Sequence, residues 1–203
     1  MTIAIVDYGM GNLRSVQKAL EHVGAQPLVT DKAEDIAKAE KVILPGVGAF
    51  GDAMRELEQR GLIDVVKQSA RSGKPFLGIC LGLQLLFEVG EESGNCPGLG
   101  LFAGKAVRFQ LPHEFKVPHM GWNQVQSNDP SNPLQHNLQP NSYFYFVHSY
   151  HVVPEDPSII WYTSEYAHPF CAAIRSKNVF ATQFHPEKSQ SVGLQLLENF
   201  ARL

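Results

Sequence analysis

Residues 75–87 read Pro-Phe-Leu-Gly-Ile-Cys-Leu-Gly-Leu-Gln-Leu-Leu-Phe, apolar throughout except for one thiol and one amide. The first half, Phe-Leu-Gly-Ile-Cys, has the length and composition of a short buried strand. From Leu81 the apolar residues recur at helical spacing, at Leu81, Leu85 and Val89, with Leu86 and Phe87 widening the stripe. The reading therefore changes from strand to helix at Cys80. Gly78 and Gly82 flank the turn and carry no Cβ to crowd it. Gly-Ile-Cys-Leu-Gly is the G-x-S-x-G nucleophile elbow written with cysteine. A lone cysteine in an apolar run is most simply a small buried hydrophobe. The turn and its paired glycines favour a reactive thiol, whose thiolate form a helix N-terminus stabilises.

Working outward, strand and helix signals alternate on the N-terminal side of this stretch. Segments 2–9, 26–30 and 41–46 read as strands, 12–24 and 33–40 as helices, and 51–71 as helix interrupted at Gly61. Alternation of this kind predicts an α/β fold with an open, mostly parallel central sheet flanked by helices. After about residue 99 the pattern becomes strands joined by Pro, Asn and Asp turns: 104–111, 142–153, 158–165, 171–176 and 178–186. These predict additional antiparallel strands in the second half, before a closing helix over 191–203. With no repeat or dividing linker, residues 1–203 are expected to form one domain.

The composition excludes several classes. A net charge of −3 offers no electrostatic case for nucleic acid or an acidic membrane surface, and no apolar run reaches membrane-spanning length. The start, Met-Thr-Ile-Ala-Ile-Val-Asp-Tyr-Gly, lacks the basic region and cleavage site of a signal peptide. Cys80, Cys96 and Cys171 are odd in number and far apart, as expected of free thiols in a cytoplasmic protein.

A nucleophilic thiol needs a base and a group to orient that base. His185-Pro186-Glu187 follows a predicted strand 105 residues after Cys80, and proline stiffens the link between its two functional side chains. Alone, such a histidine and glutamate usually lie on a solvated turn. Beside an elbow they complete a Cys-His-Glu set. Pro45-Gly46-Val47-Gly48, also after a strand, can aim a backbone N–H at a developing oxyanion, with the Leu81 N–H as second donor. A phosphate loop is excluded because Gly73-Lys74 is followed by Pro75, and the Gly9/Gly11 turn fits a dinucleotide fingerprint poorly. His148 and His151, three apart, are expected on opposite faces of one strand, so no metal and no other cofactor is expected.

Together these motifs resemble the class I glutamine amidotransferases. The segments at 5–16, 44–54, 118–125, 145–152 and 183–190 extend the resemblance, over essentially the whole chain, to the glutaminase subunits of imidazole glycerol phosphate synthase. The resemblance implies a flavodoxin-like sheet in which Cys80 attacks the glutamine side-chain amide to form a thioester. His185 then acts as base and acid, and Glu187 orients it. It implies an oxyanion site at Gly46, Val47 and Leu81 and glutamine contacts from Gln84, Ser149 and Tyr150. Ser149 stands where the family often has threonine, which keeps the hydroxyl. The implied partner is a separate (β/α)8-barrel cyclase forming a heterodimer, faced by Asn12, Met120, Trp122 and Lys188, which receives the ammonia directly. A glycine-flanked Gly46–Val47 peptide that rotates at little steric cost is the expected switch. Two other readings stand beside this one: a cysteine hydrolase of the same sheet type that acts alone, and a scaffold with a vestigial site.

Overall fold

The computed structural model describes residues 2–203. The N-terminal half alternates as expected: β1 (Thr2–Val6), α1 (Leu13–His22), β2 (Gln26–Thr30), α2 (Ala33–Lys38), β3 (Lys41–Gly46), α3 (Phe50–Gln59), α4 (Ile63–Arg71), β4 (Phe76–Cys80) and α5 (Leu81–Leu85). Strands then dominate: β5 (Phe87–Gly90), β6 (Cys96–Pro97), β7 (Phe102–Arg108), β8 (His119–Ser127), β9 (Tyr143–His148), β10 (Tyr150–Pro154), β11 (Ile160–Tyr166), β12 (His168–Ser176) and β13 (Val179–Thr182). Helix α6 (Gln190–Arg202) closes the chain. Among the described residues no helix is long and apolar enough to cross a membrane.

The heart of the fold is the parallel set β2-β1-β3-β4-β13, an open sheet of the doubly wound kind. Period-two alternation sends side chains to two cores. Ala4, Val6, Val42 and Leu44 pack with α2, α3 and α4; Ile3, Ile5, Ile43 and Leu77 pack with α1 and α6. Beyond β13 the sheet continues through antiparallel β12, β10 and β7, and a branch runs β12-β11-β8-β9. Register decides where the carboxyl ends lie. Gly46 on β3 pairs with Cys80 on β4, and Thr182 on β13 pairs with Ile79. The residues after all three strands therefore emerge side by side.

Three expectations need correction. The helix expected through Val89 stops at Leu85, and Phe87–Gly90 is a strand. The carbonyls of Leu85, Leu86, Phe87 and Glu88 are taken by backbone N–H groups of residues 98–102, which draws the segment into the sheet. A buried apolar run satisfies either periodicity, so the distant partner decides. The α5 macrodipole at Cys80 is correspondingly that of a five-residue helix. Second, residues 142–153 form two strands, β9 and β10, broken at Ser149. His148 and His151 consequently do not lie on opposite faces of one strand: both rings pack against Phe109, with centroids 5.1 and 4.6 Å away. Third, His119–Ser127 forms a strand where none was expected.

Candidate active site

Cys80 caps the N-terminus of α5 with φ 56° and ψ −110°. A non-glycine residue in such a conformation costs about 1–3 kcal/mol and persists only where the surroundings enforce it. Here parallel pairing holds β4 up to Cys80, and α5 starts at the next residue. The turn packs so tightly on β3 that a Cβ on Gly82 would lie 2.0 Å from the Leu44 carbonyl oxygen. Glycine at 82 is thus required by close approach. The result is a thiol held at the floor of a cleft of about 300 Å³.

The cleft is lined by Val47, Gly48, Leu81, Gln84, Ser149, Tyr150, His185 and Lys188 together with Cys80. Most of the residues singled out from the sequence therefore meet in one place. Glu187 sits behind the lining, its Oε1 2.8 Å from His185 Nδ1, with both side chains almost wholly buried. The backbone fixes this pair: His185 N–H donates to the Tyr145 carbonyl at 2.9 Å, and the Ser189 hydroxyl donates to the His185 carbonyl at 2.6 Å. Burial pulls the His185 imidazole toward neutrality, but a thiolate at Cys80 and the Glu187 carboxylate outweigh it and hold His185 above its usual value. Its Nε2 is buried and makes no directed hydrogen bond within the chain. That nitrogen is available to exchange a proton at the thiol.

Gln84, one helical turn beyond Cys80, is buried. Its amide donates to the Tyr150 carbonyl at 3.1 Å and to Gln183 Oε1 at 3.2 Å. Gly46 forms the end of β3 behind the cleft, and Gly48, at φ +91°, turns the loop in the left-handed region that favours glycine. Asn12, Met120 and Trp122 lie outside the cleft lining. Asn12 caps α1; Met120 and Trp122 project from one side of β8, 66% and 46% exposed. Lys188 is exposed at the cleft edge.

Three neighbours escaped the sequence reading. The Tyr8 hydroxyl, fully buried, donates to the Pro45 carbonyl at 2.8 Å and anchors the loop that follows. Burial, then the charge of Cys80, raises Tyr8 so that it stays a donor. Gln183 Nε2 lies 3.8 Å from Cys80 Sγ. Both follow strand carboxyl ends, which was the available signal. Glu92 contributes a carboxylate to the cleft while its Oε2 accepts from Phe50 N–H at 2.7 Å; nothing local in the sequence marks it.

Comparison with known proteins agrees with this geometry. Residues 4–203 match the family model for glutamine amidotransferase class-I. The chain is 57% identical over 199 residues to the imidazole glycerol phosphate synthase subunit HisH of Rhodopirellula baltica, covering 98% of this chain and 96% of that one. It is 55% identical over 202 residues to HisH of Thermosynechococcus vestitus, covering 99% and 96%. Among solved structures, PurLQS from Thermotoga maritima superimposes with a TM-score of 0.75 at 20% identity, covering 99% of this chain and 97% of that one, which speaks to the fold alone. The chain belongs to the class I glutamine amidotransferases and, within them, to the HisH subunits of imidazole glycerol phosphate synthase.

Proposed function

We infer that this chain is the glutaminase subunit of imidazole glycerol phosphate synthase, hydrolysing glutamine to glutamate and ammonia for a cyclase subunit in histidine biosynthesis. The observation that carries the reading is the meeting of Cys80 with the buried His185–Glu187 pair at adjacent strand ends. His185 takes the thiol proton as the Cys80 sulfur attacks the side-chain carbonyl carbon, and the C–N bond breaks as His185 delivers that proton to the departing nitrogen. Water, deprotonated by His185, then releases glutamate from the γ-glutamyl thioester and restores the thiol. Glu187 orients the imidazole and stabilises its charge. The Leu81 N–H and the Gly46–Val47 peptide hold the oxyanion, and rotation of that peptide adjusts the donor count. Gln84, Ser149 and Tyr150 position glutamine, and the Glu92 carboxylate offers charge to its α-ammonium group.

Residues 1–203 act as one domain in the cytoplasm. Ammonia released into water at neutral pH is protonated and lost as a nucleophile, so direct transfer to a (β/α)8-barrel cyclase in a heterodimer fits the chemistry. Exposed Met120 and Trp122, with Asn12 and Lys188, form the proposed contact face; apolar and aromatic side chains of this kind suit an interface core. The test is glutamate release by the purified chain with and without its cyclase. Release that needs both the partner and Cys80 supports the reading, whereas full activity alone favours an independent hydrolase.

A further inference from the structure

His148 lines the cleft beside Ser149 and Tyr150, and His119 lies behind it; both imidazoles are buried and the mechanism above uses neither. His119 on β8 and His148 on β9 are directly opposed in the antiparallel register, and are only 4% and 5% exposed. His119 Nδ1 lies 2.9 Å from His148 Nε2, and His148 Nδ1 lies 2.8 Å from the Tyr150 carbonyl oxygen. At the far end, Asn123 Nδ2 reaches His119 Nε2 at 3.2 Å and the Glu165 carbonyl at 2.8 Å.

This chain of bonds has one consistent direction. A carbonyl cannot donate, so His148 Nδ1 carries the proton and its Nε2 accepts. His119 Nδ1 must then donate, which leaves His119 Nε2 to accept. Asn123 meets that demand independently, because its Oδ1 already accepts from the Gln124 N–H at 2.8 Å and its Nδ2 is the group facing His119. Both imidazoles are therefore neutral, with Nδ1–H tautomers set from either end. Burial agrees, lowering His119 to about 4 and His148 to about 3.

The Tyr150 carbonyl at the end of this chain also accepts from Gln84 Nε2 at 3.1 Å. It thus joins the break between β9 and β10 to the helix that follows Cys80. The surrounding rings, Phe109, Phe146, Tyr166 and Phe170, form an aromatic cluster. Phenylalanine at 119 or 148 would fill such a space without the desolvation cost of a polar ring. What the imidazoles add is an aimed N–H.

We propose that His119 and His148 are positioning residues for glutamine: a neutral, one-way donor pair that fixes the Tyr150 carbonyl and, through it, Gln84 and the Ser149–Tyr150 wall. The proposal rests on the reading of the cleft as a glutamine site. It assigns the pair to substrate binding and leaves proton transfer to His185.

The test is steady-state glutamine hydrolysis by the complex with its cyclase, at pH 8, with thermal midpoints measured alongside. His148→Phe keeps the ring volume and loses the donor; the glutamine concentration for half-saturation should rise about tenfold, the worth of one net hydrogen bond, while kcat falls less than about threefold. His148→Asn can present an amide N–H near the position of Nδ1 and should recover most of that loss. His119→Phe, outside the cleft lining and one bond further from the Tyr150 carbonyl, should raise half-saturation by a smaller factor, and it carries the test alone if His148→Phe fails to fold. Wild-type saturation in the folded Phe variants, or no advantage of His148→Asn over His148→Phe, overturns the positioning role. A complex whose wild type shows no Cys80-dependent glutamine hydrolysis overturns the glutamine reading itself, and the proposal with it.

Discussion

His185 Nδ1 lies 2.8 Å from Glu187 Oε1, two residues further along the chain, and both side chains are almost wholly buried. The carboxylate therefore selects the Nδ1–H tautomer and turns Nε2 toward the thiol. Glu187→Gln can still accept from Nδ1–H but loses the charge. In the complex its kcat for glutamine should fall by about 10²-fold, at the lower end of the range for general acid–base assistance, and His185→Ala should fall further. Because Glu187 is one of the groups raising His185, the imidazole titration followed by NMR should move down in Glu187→Gln. Equal losses in kcat for the two variants would reject a purely orienting role.

Cys80→Ser should abolish imidazole glycerol phosphate formation from glutamine yet leave synthesis from high external ammonia intact. The cyclase chemistry lies on another chain, so only the supply of nitrogen is removed. Loss of both activities in an assembled complex would contradict this division of labour.

Glu92 places a carboxylate in the cleft while its Oε2 holds the Phe50 N–H. Glu92→Gln keeps the shape and removes the charge. Half-saturation by glutamine should rise by about tenfold or more, in line with roughly 1.5–3 kcal/mol for a hydrogen bond to a charged group. A glutamine analogue lacking the α-amino group should show no such difference between the two proteins. Equal sensitivity of both ligands would remove Glu92 from recognition of the ammonium.

Tyr8 ties the Pro45 carbonyl from below the loop that carries Gly46 and Val47. Tyr8→Phe frees that carbonyl and loosens the oxyanion donor. The expected result is a kcat lowered about tenfold with half-saturation little changed, a fraction of the 10²–10³-fold lost when a whole donor is removed. A change confined to half-saturation would place Tyr8 in substrate binding instead.

The histidine cluster predicts acid lability. Burial lowers His119 and His151 to about 4 and His148 to about 3. His119 faces His148 and Tyr166; His148 also faces His151 and His185, and His151 faces His168. Below the unperturbed imidazole value of roughly 6.5, the unfolded chain takes up protons that the native protein refuses. The contribution of these three histidines should be full above that pH and decline as pH falls toward the lowered values. His185, raised rather than lowered, acts with the opposite sign: its contribution is complete well below about 6.5 and is lost as pH rises, so it opposes the decline only at the upper edge of this window. Urea unfolding between pH 6.5 and 4.5 should show the decline, and His148→Phe should flatten it by at most about 1.4 kcal/mol per pH unit. An unchanged slope in that variant would mean that His148 is already charged in the native state.

Much of the molecule was legible from local pattern alone. The runs that became β1, β3 and β4 are largely apolar; β3 ends in Gly46, β4 ends in Cys80, and Gly9 comes soon after β1, so strand, turn and reactive end could be read together. The glycines around Cys80 and the proline between His185 and Glu187 are short-range constraints, expressed wherever the rest of the chain goes. Distant pairing decided the remainder. Leu85 to Glu88 left the helix because N–H groups from residues 98–102 claimed their carbonyls. Residues 142–153 broke at Ser149, with Tyr150 starting a strand that pairs with β7. Gln84 became buried through partners 66 and 99 residues away, and His119 met His148 across 29 residues. Period and composition state which face of a segment avoids water; they do not state which carbonyl a buried N–H will find. That choice belongs to strand register, and register is set only when the whole sheet assembles.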